Sequence, residues 1–393
     1  MTSTDTDTAV DADVVVIGLG ALGSAAAWAC ARRGASVVGL EQFALGHERG
    51  ASQDHSRIIR LSYHTPGYVR LAKAAYPAWD LLAEDTGEVV VERTGGLDLF
   101  PADAAIAIED YTASMDAEGV PYELLAGTEV RHRWPVWAGL ADDVTAVFQA
   151  ETGFVAASRA VAALQRGAVD HGAVLRDLSP VTDLRVEDGT VVVTTPAGAS
   201  RAAHAIVTAD AWTNPVLAPL GVELPLTVLR EQVTWFEVDD ATRFTADQYP
   251  VWIWMDDPSW YGFPAMDGAV KAAQDCGGSP VDPDTRTFDS DPGREDVLGA
   301  FLRAQLAGVG AVRSSKTCLY TLTPDRDFVL DRLPEHPEVL VALGAAHSFK
   351  FAAWFGLTLA ELALDERARA DLSPFRIDRA ALTDSAYEAD WLV

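Results

Sequence analysis

The run Gly18-Leu19-Gly20-Ala21-Leu22-Gly23 constrains this chain more than any other six residues in it. It follows Asp13-Val14-Val15-Val16-Ile17, a short β-branched run without polar alternation, as expected of a parallel strand covered on both faces. An alanine-rich helix is predicted from about Ala21 to Arg33, closed by Gly34, and a second strand from Ala35 to Glu41. Strand, glycine turn, helix and strand within about thirty residues make a βαβ unit. Gly18 allows the tight turn, Gly20 lets a pyrophosphate approach the backbone, and Gly23 permits close helix–strand packing. The helix N-terminus adds partial positive charge for phosphates, and Glu41 is placed to accept hydrogen bonds from ribose hydroxyls. The pattern implies a dinucleotide site but does not separate FAD from NAD.

The rest of the composition narrows the function classes. A chain of 393 residues suggests two or three domains with a substantial core. A net charge of −28 repels phosphate backbones and anionic lipid surfaces, which argues against nucleic acid and membrane partners. No stretch approaches 18 continuous apolar residues, the length a spanning helix needs. Cys30, Cys276 and Cys318 are odd in number and widely spaced, giving neither a disulfide framework nor a metal site. Met1 to Ala12 is polar and acidic with no secretory pattern, so a reducing cytoplasm is the expected compartment. Only four lysines occur, Lys73, Lys271, Lys316 and Lys350, which marks each as a candidate for a titratable ammonium.

Along the chain, 42–56 reads as loop, a helix is predicted from Pro66 or Gly67 to Glu84, and strand-like pieces begin at Val89 to Val91 and Leu97 to Phe100. Residues 145–217 return to the style of the first domain. They carry a helix from Ser158 to Gly172, a strand from Ala173 to Arg176, a hairpin turning at Asp188-Gly189, and a buried strand at Ala205 to Thr208. Residues 225–320 are rich in strand formers and aromatics, and a last strand (Val339 to Leu343) and helix (about Phe351 to Leu364) close the pattern. The expected architecture is α/β, with two interleaved domains.

Three further clusters carry polar chemistry. In Ser52-Gln53-Asp54-His55-Ser56-Arg57-Ile58-Ile59-Arg60, two arginines lie three residues apart beside an apolar pair. In so acidic a chain they either pair with local carboxylates or recognise a carboxylate ligand. Lys316-Thr317-Cys318-Leu319-Tyr320-Thr321 holds a cysteine that is either buried and inert or a thiolate able to attack an electrophilic ring carbon. Gly344-Ala345-Ala346-His347-Ser348-Phe349-Lys350 is a strand-to-helix transition, either a plain helix entry with a solvated lysine or part of a site.

With the glycine fingerprint, these segments resemble the monomeric sarcosine oxidase and N-methyltryptophan oxidase family of FAD-dependent amine oxidases over nearly the whole length. Further landmarks in order are Arg133-Trp134-Pro135, Tyr261-Gly262-Phe263-Pro264 followed by Lys271, and Asp327-Phe328-Val329-Leu330-Asp331. The resemblance implies a Rossmann-like FAD-binding domain (1–88, 145–220 and 322–393) interleaved with an α+β substrate domain on a largely antiparallel sheet (89–144 and 221–321). It implies FAD bonded covalently through Cys318, with Gly18, Gly20, Gly23, Glu41, Ser56, Arg57, Gly344, His347 and Lys350 around the cofactor. Lys271 corresponds to the lysine that promotes reaction with dioxygen, and Arg57 to the arginine near the flavin ring that assists its reduction. Arg60 and Lys350 correspond to the pair holding the substrate carboxylate, and Tyr261 and Tyr320 to pocket residues.

The implied activity is oxidation of a secondary or tertiary amine amino acid, N-methyl or cyclic, by hydride transfer to FAD. Reoxidation by dioxygen gives hydrogen peroxide, the other product is an imine, and the expected protein is a cytoplasmic monomer without a metal. Several positions depart from the family pattern. The loop before Lys350 is poor in glycine, Gln53 stands where a histidine is usual, and Asp210-Ala211-Trp212 replaces Gly-Ala-Trp. Asp275, four residues after Lys271, replaces another histidine and offers a carboxylate to a cationic or hydroxylated substrate group. Trp252 and Trp254 alternate along a predicted strand, so they either pack the core or line the pocket for a ring-bearing substrate. Competing readings are a biosynthetic flavoenzyme oxidising a cyclic imino acid, and a flavin-binding protein whose catalysis has lapsed. A nicotinamide-only dehydrogenase leaves Cys318 unexplained.

Overall fold

The computed structural model describes residues 11–365 and 367–392. Most of the polar start of the chain, Met1 to Val10, lies outside the described residues. The predicted βαβ unit is present as β1 (Ala12–Ile17), α1 (Ala21–Arg32) and β2 (Val37–Leu40). β1 sits inside an eight-stranded sheet, parallel to β2 on one side and to Gly198–Val207 on the other. Its residues alternate between two cores: Val14 and Val16 face one cluster, Val15 and Ile17 the other. Burial of each such side chain contributes roughly 1.5–3 kcal/mol, and no polar face exists to set an alternative register. The run therefore has no alternation because neither face meets water. α1 is buried along ten of its twelve residues, and its alanines let the helices Ala157–Asp170 and Ala352–Asp365 pack close against it.

A nine-stranded sheet, largely antiparallel, forms the second layer system. Its long members, Thr227–Val238 and Val309–Leu322, pair antiparallel with Glu231 opposite Cys318. Ala269–Gln274 adds on the other side of Thr227–Val238, with Lys271 opposite Trp235. Period-2 geometry then puts Cys318, Glu231, Trp235, Lys271 and Tyr261 on one face of the sheet. The opposite face carries Trp252, Trp254 and Trp260, packed around Phe301 of the helix Pro292–Gln305. These tryptophans belong to the core, so the pocket-lining reading of Trp252 and Trp254 is wrong. Their parity is set by Ile253 and Tyr261, which pair across the strands and point the other way.

A small three-stranded sheet, β3 (Ser56–Ile59), Gly153–Ala156 and Val91–Arg93, adjoins the two. The strand Thr145–Gln149 joins the nine-stranded sheet through Gly96–Phe100, whereas the sequence reading grouped it with the first domain. Its alternation resembles that of either sheet, and only pairing decides between them. Among the described residues no helix is long and apolar enough to cross a membrane. The three cysteines are all free.

Candidate active site

One cavity of about 470 Å³ runs from the glycine turn to the loop before Lys350. At its first end Gly18 has φ +89°, and a Cβ there would stand 2.7 Å from the carbonyl oxygen of Thr208. A side chain on Gly23 would strike the carbonyl oxygen of Gly18, so the third glycine sets the helix–turn contact. α1 begins without an acidic residue in its first turn; the neutral Ser52 hydroxyl accepts from the Ala21 N–H at 2.9 Å, and the N-terminal dipole carries no competing negative charge. Glu41 is buried, which alone would raise its pKa. Hydrogen bonds from His47 and from the backbone N–H groups of Leu19 and Phe43 outweigh that and hold it low, so the carboxylate stays charged. These features fit FAD: a helix terminus without a carboxylate for phosphates, a charged acceptor for a ribose, and a cavity within the usual range for cofactors. Gly18, Gly20 and Glu41 line it, with Gly344 and His347 on the far wall.

The other end is assembled from side chains on distant segments. Arg57 and Arg60 come from β3 and the residue after it, Tyr261 and Tyr320 from the large sheet, and Lys350 from the entry to the last long helix. Arg57 donates to the carbonyl oxygens of Ser56 and Ala51 at 2.9 Å each. Arg60 stands 3.3 Å from Asp98, and its buried Nε has no partner among the described residues. Burial pushes the Asp98 carboxyl up, and Arg60 counteracts it. Lys350 is different: no carboxylate lies within ion-pair distance of its ammonium among the described residues. Burial, then Arg60 and Arg326, push its pKa down to about 7. A half-buried ammonium without its own anion among the described residues, beside a guanidinium with a spare donor, has the chemistry to receive a carboxylate.

Asp275 does line the cavity, but it is not free. Its Oδ2 accepts from Arg326 at 2.7 Å, and Arg326 also donates to the carbonyl oxygen of Trp391 at 2.7 Å. The carboxylate expected for a substrate group therefore presents itself as half of an ion pair. His347 donates from Nε2 to the carbonyl oxygen of Arg326, 2.9 Å away, and burial with Arg326 and Lys350 nearby keeps the ring neutral. Lys271, Cys318, Ser56 and Gly23 stand behind the cavity wall rather than in it. Lys271 donates to Asp54 and to the carbonyl oxygen of Ser56, both at 2.8 Å, under the ring of Phe263. Cys318 is 6% exposed. Burial raises its thiol to about 11, and Arg57 and Lys271 pull it the other way.

Three residues of this neighbourhood escaped the sequence reading: Asp54, Asp98 and Arg326. Asp98 had a signal, a lone acid within the apolar strand Gly96–Phe100. Arg326 stands between two landmark segments, flanked by Asp325 and Asp327, and such a pattern reads as surface turn. Asp54 is drawn to Lys271 only by the fold. In the loop before Lys350, Ala345 and Ala346 have φ +41° and +69°, so the positions short of glycine keep a left-handed backbone at some strain.

The family model described as FAD dependent oxidoreductase matches residues 13–362. Monomeric sarcosine oxidase of Bacillus sp. (strain NS-129) is 31% identical over 381 residues, covering 95% of this chain and 98% of that protein. N-methyl-L-tryptophan oxidase of Yersinia pestis (strain Pestoides F) is 31% identical, covering 94% of this chain and all of its own length. Among solved structures, the open form of NikD, described as an unusual amino acid oxidase essential for nikkomycin biosynthesis, superposes with a TM-score of 0.84. It is 29% identical, with 94% of this chain and 98% of that one covered.

Proposed function

This chain belongs to the FAD-dependent oxidoreductases, and on that footing we propose that it oxidises an amino acid whose nitrogen is a secondary or tertiary amine, N-methylated or cyclic. The observation that carries the reading is the single cavity with a nucleotide-binding turn at one end and the unpaired Lys350 beside Arg60 at the other. Lys350 and Arg60 bind the substrate carboxylate, which fixes the direction in which the adjacent amine and its C–H bond point. Tyr261 and Tyr320, both kept protonated by burial, close the side of the cavity and exclude water. Arg57 and Lys271 place positive charge at the sheet face on which Cys318 lies. FAD held there would supply the electron acceptor for the C–H bond and hand the electrons to dioxygen, giving hydrogen peroxide and an imine. The curated relatives named for sarcosine and N-methyl-L-tryptophan oxidation support this substrate class.

Finer points belong to the same proposal. Covalent attachment through Cys318 is supported by its position on the sheet face with Lys271 and Tyr261 and by two nearby cations. The division into 1–88, 145–220 and 322–393 against 89–144 and 221–321 is supported by the separation of the strands into two large sheets, except at Thr145–Gln149, which pairs within the nine-stranded sheet. A second reading, oxidation of a cyclic imino acid in a biosynthetic reaction, is favoured by the Asp275–Arg326 pair in the cavity and by the likeness to NikD. One experiment tests both. The purified yellow protein is mixed anaerobically with a panel of N-methyl and cyclic amino acids, and bleaching of the flavin absorbance is followed. Bleaching by at least one member is expected; a flavin that none of them reduces would defeat both readings. Colour that stays with the acid-precipitated polypeptide is the expected sign of the covalent bond, and its full release removes the role given to Cys318.

A further inference from the structure

Asp54, in the loop ahead of β3, has φ +91° and a side chain only 3% exposed. A glycine takes that backbone conformation freely, whereas a residue with a Cβ does so under strain, and such strain persists where the surroundings over-determine it. Here they do. The Asp54 carbonyl oxygen accepts from the Ser158 N–H at 3.0 Å and the Ser158 hydroxyl at 2.8 Å, and the His55 carbonyl oxygen accepts from the Ala157 N–H at 2.9 Å. The start of the helix Ala157–Asp170 thus clamps the turn from behind and aims its carboxylate at the large sheet. Oδ2 meets the Lys271 ammonium at 2.8 Å, with Arg57 3.8 Å away, and Oδ1 has no hydrogen-bond partner among the described residues.

We propose that Asp54 is a positioning residue for the oxidative half of the reaction, holding the Lys271 ammonium charged and fixed at the flavin-facing sheet. The inference rests on the oxidase reading above for what the charge is used for. The groups facing Lys271 are Asp54 from the loop, Arg57 from β3, and Cys318 from the strand Val309–Leu322, with the rings of Trp235 and Phe263 completing its surroundings. Burial is the largest influence and lowers the ammonium's pKa, Asp54 opposes it and Arg57 adds to it, and the balance lies at about 8. Removing the carboxylate leaves burial and Arg57 acting in the same direction. Lys271 then sheds its proton nearer neutral pH and loses the acceptor that fixes Nζ. Ser56 alone, through its carbonyl oxygen at 2.8 Å, would hold it.

The test uses the full-length, flavin-containing protein and three variants: Asp54→Asn, Lys271→Met and both together. Asparagine is chosen because it tolerates a left-handed backbone. In thermal unfolding Asp54→Asn leaves the Lys271 ammonium without its carboxylate and Lys271→Met leaves Asp54 with the more distant Arg57 alone, so each is expected to lower Tm by more than the double variant does. The second readout decides catalytic relevance. The flavin is reduced chemically, not by an amine, and its reoxidation by dioxygen is followed against pH. The wild-type rate is expected to fall as pH rises and Lys271 loses its proton. In Asp54→Asn that fall moves to lower pH by about one unit or more. Superimposable pH profiles overturn the proposal, whether the Tm effects are additive or coupled; coupled effects would then describe an ion pair of structural importance only. Because no amine is used, failure of the amine panel would sink the oxidase reading without deciding this result.

Discussion

The two ends of the cavity are built by different means. The fingerprint end is mostly backbone, drawn from Gly18 to Glu41, and hydrogen bonds run there from the main chain to Glu41 and to Ser52 next to it. The far end is mostly side chain, gathered from β3, the large sheet and the last helix entry, and it keeps unmet polar atoms and strained residues. Recognition of a constant group such as a nucleotide can be left to main-chain geometry. Recognition of a particular donor needs side chains that can be exchanged, and these bring buried charge with them. The difference places the common chemistry at one end and the specific chemistry at the other.

Gly18→Val tests that contrast most severely. The new side chain meets the Thr208 carbonyl oxygen, and valine is disfavoured at φ +89°, so flavin retained on purification is expected to fall about tenfold or more by its absorbance relative to protein. Retention of full flavin would show that the far end can hold the cofactor alone. A smaller effect is expected for Lys350→Met, which should keep the flavin and weaken binding of a simple aliphatic carboxylate by about 10- to 100-fold in a spectral titration. The pH dependence sharpens the assignment. The ammonium of the ligand-free protein loses its proton as pH rises through about 7, so wild-type affinity should decline above that pH, and the variant should lack the decline. The smallest effect is expected from Ala346→Gly, which relieves a left-handed alanine and should stabilise the protein by up to about 1 kcal/mol in denaturant unfolding.

The same contrast explains what could be read from the chain before its structure was known. The βαβ unit follows from local pattern because its strand, turn and helix are neighbours in sequence, and the predicted bounds differ from the observed ones by a residue or two. The resemblance supplied Arg57, Arg60 and Lys350, all of which do reach the cavity. It could not say that Arg60 already leans on Asp98, or that Asp275 is held by Arg326, since those partners lie 38 and 51 residues away in sequence. Nor could alternation alone say which way Trp252 and Trp254 point; pairing of Ile253 with Tyr261 decides it. Charge pairing across the fold was the illegible part, because in a chain with 58 acidic residues nearly every cation has several candidate partners.

The hydrogen bond from Arg326 to the carbonyl oxygen of Trp391 has a practical corollary. The cavity-lining carboxylate of Asp275 is steadied, through one guanidinium, by a peptide group that belongs to no sheet or helix. Disturbing that stretch of backbone would therefore blunt discrimination between amines long before it bleached the colour or loosened the nucleotide fold.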